Sequence, residues 1–88
     1  MAIIKTKRNY VYALEPLDDD CMVETLIGPG GTPSSYRRLI AQPIDRYREA
    51  VSFAVGIADQ FEHPIHIVPI TAGEFIEKVR NEERPSRP

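Results

Sequence analysis

The sequence predicts one small α+β domain in the order β-β-β-α-β-α: a four-stranded, mostly antiparallel, mixed sheet with a long helix on one face and a short C-terminal helix. Three observations point there. Period-two alternation recurs in three early segments, as half-buried strands require. One long stretch, residues 43–61, repeats its apolar residues at helical spacing. The run Ile70-Thr71-Ala72-Gly73-Glu74-Phe75 carries a helix-start signature directly after an isoleucine- and valine-rich segment.

Residues 8–15 form the first predicted strand, with Tyr10, Tyr12 and Leu14 on one side and Val11 and Ala13 on the other. The larger row has the stronger claim to the interior, because burial stabilises in proportion to apolar area. Residues 16–20, Pro-Leu-Asp-Asp-Asp, break this strand with turn formers. The second strand, 21–27, sets Cys21, Val23, Thr25 and Ile27 against Met22, Glu24 and Leu26. The third, 36–41, sets Tyr36, Arg38 and Ile40 against Arg37, Leu39 and Ala41. Three consecutive strands with short links imply an antiparallel meander.

Pro43 suits the first turn of the long helix, where its missing N–H has no intrahelical partner. Asp45 follows where a negative charge offsets the helix dipole. Tyr47, Ala50, Val51, Ala54, Ile57, Ala58 and Phe61 share one face, while Glu49, Ser52, Gly56 and Asp59 form the back. Phe53 and Val55 sit at the margins, so the apolar surface is wider than one sheet face covers. Phe53, Val55 and Ile57 are therefore the candidate interface for a second copy or a protein partner.

Residues 64–70 form the fourth strand, expected beside the first and reached from the third by a crossover. Pro64 and Pro69 cannot donate to a ladder, so they mark strand ends or a sheet edge. Thr71 and Glu74 form a capping box that starts the terminal helix, flanked by Ile70 and Phe75. Residues 1–82 make the domain, and 83–88 a polar, proline-bearing flexible tail.

Eleven Lys+Arg against thirteen Asp+Glu leave a net charge of −2, too balanced for a strong non-specific grip on nucleic acid. The single Cys21 precludes a disulfide within the chain, and a cytoplasmic setting is expected. The start, Met1-Ala2-Ile3-Ile4-Lys5, places its charge after the apolar residues, the reverse of a secretory leader. No apolar run approaches the ~20 residues of a membrane helix.

Candidate chemistry is sparse. The glycine-rich segment 28–35 lacks the lysine and the following helix of a phosphate-binding loop, and it contains Pro29 and Pro33, so it reads as a hairpin connection. His63 and His66, three apart on a strand, point to opposite faces and make poor co-ligands. Asp18, Asp19 and Asp20 lack the alternating oxygens and glycine bend of a calcium loop. Those carboxylates also disfavour a Cys21 thiolate. No catalytic residue, metal or cofactor is expected.

The sequence thus favours a non-catalytic interaction module, self-associating as a dimer or binding a protein partner. The alternative is a nucleic-acid binder using Lys7, Arg8, Tyr36, Arg37 and Arg38, since aromatic and cationic residues together bind single strands. A third reading, an enzyme, requires Cys21 and the histidines to meet in space. Which sheet face the helices leave uncovered separates the first two.

Overall fold

The computed structural model describes residues 2–16, 20–29 and 36–83. It is a mixed α+β fold with strands β1 (Ala2–Lys5), β2 (Tyr10–Ala13), β3 (Cys21–Ile27), β4 (Arg37–Pro43) and β5 (Ile65–Thr71). Two helices, α1 (Tyr47–Ile57) and α2 (Ala72–Glu83), complete it. The sheet has five strands rather than four. The additional strand, β1, is only four residues long, too short for its alternation to stand out. Thr6 and Asn9 close the turn that folds it back: Thr6 N–H donates to the Asn9 carbonyl at 2.9 Å, and Asn9 N–H donates to Thr6 Oγ1 at 3.1 Å.

Strand order is β1-β2-β5-β3-β4. The expected meander holds only for the β3–β4 hairpin, because β5 inserts between β2 and β3. β5 carries Ile65 and Ile67, both fully buried, and the most apolar strand takes the centre of the sheet, where neighbours on both sides keep it from water. It runs parallel to β2, with Val11 opposite Ile65, so the last strand does lie beside the residue 8–15 segment. Pro69 lies beyond Ile67, the last residue paired with β2. On that side β5 is an edge, where a missing N–H leaves no ladder partner short.

The core fills the space between the sheet and α1. Ala50, Ala54 and Ala58 from the helical run meet Val11, Ala13, Val23, Ile65 and Ile67, with Leu39, Tyr47, Val51, Ile57 and Phe61 packed around them. This reverses the expected sidedness of β2. Val11 and Ala13 point inward, and Tyr10, Tyr12 and Leu14 point away from α1. A helix that presents alanines lies close to the sheet, and that narrow gap admits Val and Ala but has no room for phenol rings. Side-chain size alone was the wrong criterion; the facing helix decides.

Pro43 ends β4 with extended backbone (φ −60°, ψ 155°), one step ahead of the helix rather than in its first turn. A 3-10 turn, Ile44–Arg46, precedes α1, and another, Ala58–Gln60, follows it, giving one helical run from 44 to 60. Asn9 secures the far end of that run. Its Nδ2 donates to the carbonyls of Ala58 (3.1 Å), Phe61 (2.9 Å) and His63 (2.8 Å), groups that a helix end and the loop after it leave without partners. Beside it, the Asp59 carboxylate accepts from the backbone N–H groups of Arg8 (2.6 Å) and Lys7 (3.2 Å) and from the Thr6 hydroxyl.

α2 begins as the capping box predicts on one arm: Glu74 N–H donates to Thr71 Oγ1 at 3.1 Å. The other arm differs, since the Glu74 carboxylate accepts from the Thr71 hydroxyl (2.9 Å). The helix then lies over the sheet face opposite α1, held by charge. Lys78 Nζ reaches Glu24 Oε1 at 2.9 Å, and Arg38 bridges Glu24 Oε2 (3.3 Å) and Glu82 (2.5 and 2.9 Å). The Arg38 guanidinium also lies over the Phe75 ring at 5.6 Å. Glu24 is almost wholly enclosed, so these two cations are what make its burial tolerable. Glu83, expected in the tail, belongs to the last turn of α2, and residues 84–88 lie outside the described residues. Among the described residues no helix is long and apolar enough to cross a membrane.

Candidate functional site

Alternation along the strands sends Ile3 and Lys5 of β1, Tyr10 and Tyr12 of β2 and His66 of β5 to the face opposite α1, because each pairs across the sheet with another member of that row. On this face the rings form a continuous stack. Tyr10 and Tyr12 lie 6.0 Å apart, Tyr12 and His66 5.1 Å, and His66 and Tyr36 4.7 Å, with interplanar angles of 20–28°. Lys5 Nζ closes the outer end, 4.9 Å from the centre of the Tyr10 ring. The inner end closes on Gly28, where an added Cβ would fall 2.0 Å from the Tyr36 ring. Only a glycine lets that ring approach the backbone so closely.

His66 is the most constrained member. Burial pushes its pKa below the ordinary histidine value, and a hydrogen bond with the Gly28 backbone opposes that shift only in part. Its Nε2 is enclosed and meets no hydrogen-bond partner among the described residues. A neutral imidazole is what this position accommodates.

α2 shields the β3–β4 half of the face through Glu24, Arg38 and Lys78. Among the described residues, no layer covers the β1–β2 half. Ile3 is 57% exposed and Leu14 41%, Tyr10 is exposed beside them, and Ile76 on α2 is 55% exposed. Phe53 and Val55 are the other large exposed apolar residues among those described. The protein is a slab of 41 × 34 × 19 Å, thin because a single helix layer backs most of the sheet.

The interface residues read from the sequence do not share one surface. Ile57 is half-buried and packs against the core. Phe53 and Val55 are exposed, but two residues at about 100° each put them on opposite flanks of α1. The five residues of the nucleic-acid reading are also dispersed. Lys7 and Arg8 ride on the turn that grips Asp59. Arg37 lines a groove of about 470 Å³ with Ile27, Phe61 and His63 on another side. Arg38 is engaged by two glutamates, and the Tyr36 ring is sandwiched between Gly28 and His66.

His63 and His66 go to different places, His63 to the groove and His66 to the stack, although His63 lies in the loop before β5 and not on the strand as expected. Cys21 pairs with Thr71 while His66 pairs with Leu26, five registers along β3 and so ~17 Å away. No group of three metal-ligating side chains occurs among the described residues; Asp18 and Asp19, and residues 30–35 of the glycine-rich segment, lie outside them. Sequence reasoning missed the roles of Ile3, Asn9, Glu24 and Gly28. Glu24 had a signal, a lone charge between Met22 and Leu26 on an otherwise apolar strand face. Comparison of the chain with protein-family models, curated proteins and solved structures finds no match.

Proposed function

We propose that the protein is a non-catalytic interaction module that pairs with a second copy of itself through the bare β1–β2 half of the sheet. The observation that carries this is the row of Ile3, Tyr10, Tyr12 and Leu14, backed by α1 and left uncovered on its outer side by the described residues. A sheet face of this kind is stabilised by a second apolar layer. Its charge suits a like partner: among the described residues of the row Lys5 is the only charged side chain, so two copies related by a two-fold axis that does not pass through it meet without opposed like charges. The row is also continuous across two paired strands, whereas the exposed apolar residues of α1 lie on two separated flanks. The same features speak against stacking of nucleic-acid bases, since the rings already turn their faces to one another and phosphate would find one lysine.

Size-exclusion chromatography with light scattering tests this. At micromolar concentration the mass is expected at twice the 10.0 kDa of one chain. Leu14→Lys and Ile3→Lys are expected to return it to one chain, while Phe53→Lys leaves the pair intact. A strict monomer at high micromolar concentration, or dissociation by Phe53→Lys alone, refutes the proposal.

A further inference from the structure

We infer that the Tyr12–His66–Tyr36 stack is an acid-sensitive clasp, in which protonation of His66 releases Tyr36 and weakens the pairing of two copies. The inference rests on the pairing proposed above and names its regulation. The geometry is that of a locked neutral ring. Tyr12 and Tyr36 cover the two faces of His66 at 5.1 and 4.7 Å, and Leu26 of β3 lies opposite it in the ladder. Nε2 is enclosed with no acceptor among the described residues. Protonation would place an N–H there that no described residue receives, and a buried donor without an acceptor is costly. The tyrosine faces attract a cation, but that attraction leaves the new donor unsatisfied.

The charged groups on this face supply no relief. Glu24, two residues along β3 from Leu26 and on the same face, is held by Lys78 and Arg38. Glu82 of α2 is held by Arg38. Lys5, beyond Tyr10, adds a like charge. Tyr36 is the ring able to leave, since it stands just before β4 and packs on Gly28, whereas Tyr12 is fixed within β2.

The sign follows. The neutral form is the clasped form, so the clasp is complete above the ordinary histidine value near 6.5 and is lost as pH falls towards the lowered value of the closed stack. Where pairing holds the stack closed and a separated chain lets it open, each chain takes up one proton on parting, so the dissociation constant rises by at most ~100-fold per pH unit in that window. The stack joins the bare row through Tyr12, so its opening reaches the pairing surface directly.

Two readouts on the full chain separate the inference from the pairing itself. Sedimentation equilibrium from pH 7.5 to 5.5 follows association, and nuclear magnetic resonance of the His66 and Tyr36 rings follows the clasp. Expected are a weakening of the pair on acidification, Tyr36 resonances that move with the His66 titration, and a His66→Phe variant that pairs at both pH values with Tyr36 unresponsive. His63→Ala is expected to keep the wild-type pH response. An unchanged dissociation constant across the range, or an acid response that persists in His66→Phe, overturns the inference while leaving the pairing standing. A monomer at every pH overturns both, whatever the rings do.

Discussion

Replacing Asn9 with alanine tests the junction that holds the first hairpin to the end of α1. The Asn9 side chain is nearly enclosed, and its Nδ2 lies within hydrogen-bonding distance of three carbonyls at 2.8–3.1 Å. Two hydrogens serve those three acceptors, so about two net bonds are lost, worth roughly 1 kcal/mol each. The carbonyls of Ala58, Phe61 and His63 keep their places, and leaving one of them buried and unpaired costs about 1–3 kcal/mol more. Asn9→Ala is therefore expected to lower stability by about 3–5 kcal/mol, read by urea denaturation followed by circular dichroism. In a domain of this size that corresponds to a fall in melting temperature of the order of 12–40 °C. Asn9→Asp separates donor loss from cavity formation. It retains an oxygen to accept from the Tyr10 N–H, 3.0 Å away, but turns a second oxygen towards three carbonyls, so it is expected to be at least as damaging. A loss below about 0.5 kcal/mol for Asn9→Ala would refute the reasoning, because it would mean that water satisfies those carbonyls as well as Asn9 does.

Further expectations follow from the same contacts. Gly28→Ala drives a methyl group into the Tyr36 ring, so it should cost about 1–3 kcal/mol in chemical denaturation and shift the Tyr36 and His66 ring resonances together. Ala54→Leu inserts bulk where α1 has no accessible surface and should cost at least ~1–3 kcal/mol in the same assay, or displace the helix from the sheet. Asp59 titrates below the usual carboxylate range because the Thr6 hydroxyl and the backbone N–H groups of Arg8 and Lys7 hold its charged form. Its contribution is present above the ordinary value near 4 and is lost as pH falls through the lowered one, so acid titration of Asp59→Asn should show a shallower loss of stability in that range. Lys78→Met leaves Glu24 enclosed with Arg38 alone, and hydrogen exchange in α2 should speed up relative to α1.

The legible parts of the fold are those whose signal is local. The helical period from Tyr47 to Ala58, the strand alternation of 21–27 and the Thr71–Glu74 start each depend on residues within a few positions of one another, and each appears in the structure. What escaped depends on partners distant in the chain. β5 enters between β2 and β3 because Ile65 and Ile67 find the core there, a choice no nearest-neighbour rule makes. The sidedness of β2 runs against the size of Tyr10, Tyr12 and Leu14, because the alanine face of α1, distant in the chain, closes the gap to them. Asn9 reads as a turn residue in sequence, and only the return of the chain at residues 58–63 gives its amide three carbonyls. The stacked surface was half visible. Tyr10, Tyr12, Tyr36 and His66 were each noted, but three separate segments had to be aligned before they became one row.

The claim that the bare β1–β2 half-face is where two copies meet is tested most directly by isotope-filtered nuclear Overhauser spectroscopy on an equimolar mixture of labelled and unlabelled chains at pH 7.5. Intermolecular contacts are expected among the side chains of Ile3, Tyr10, Tyr12 and Leu14, and absent from Phe53 and Val55. Intermolecular contacts confined to the α1 flanks, or none at all at millimolar concentration, would contradict it.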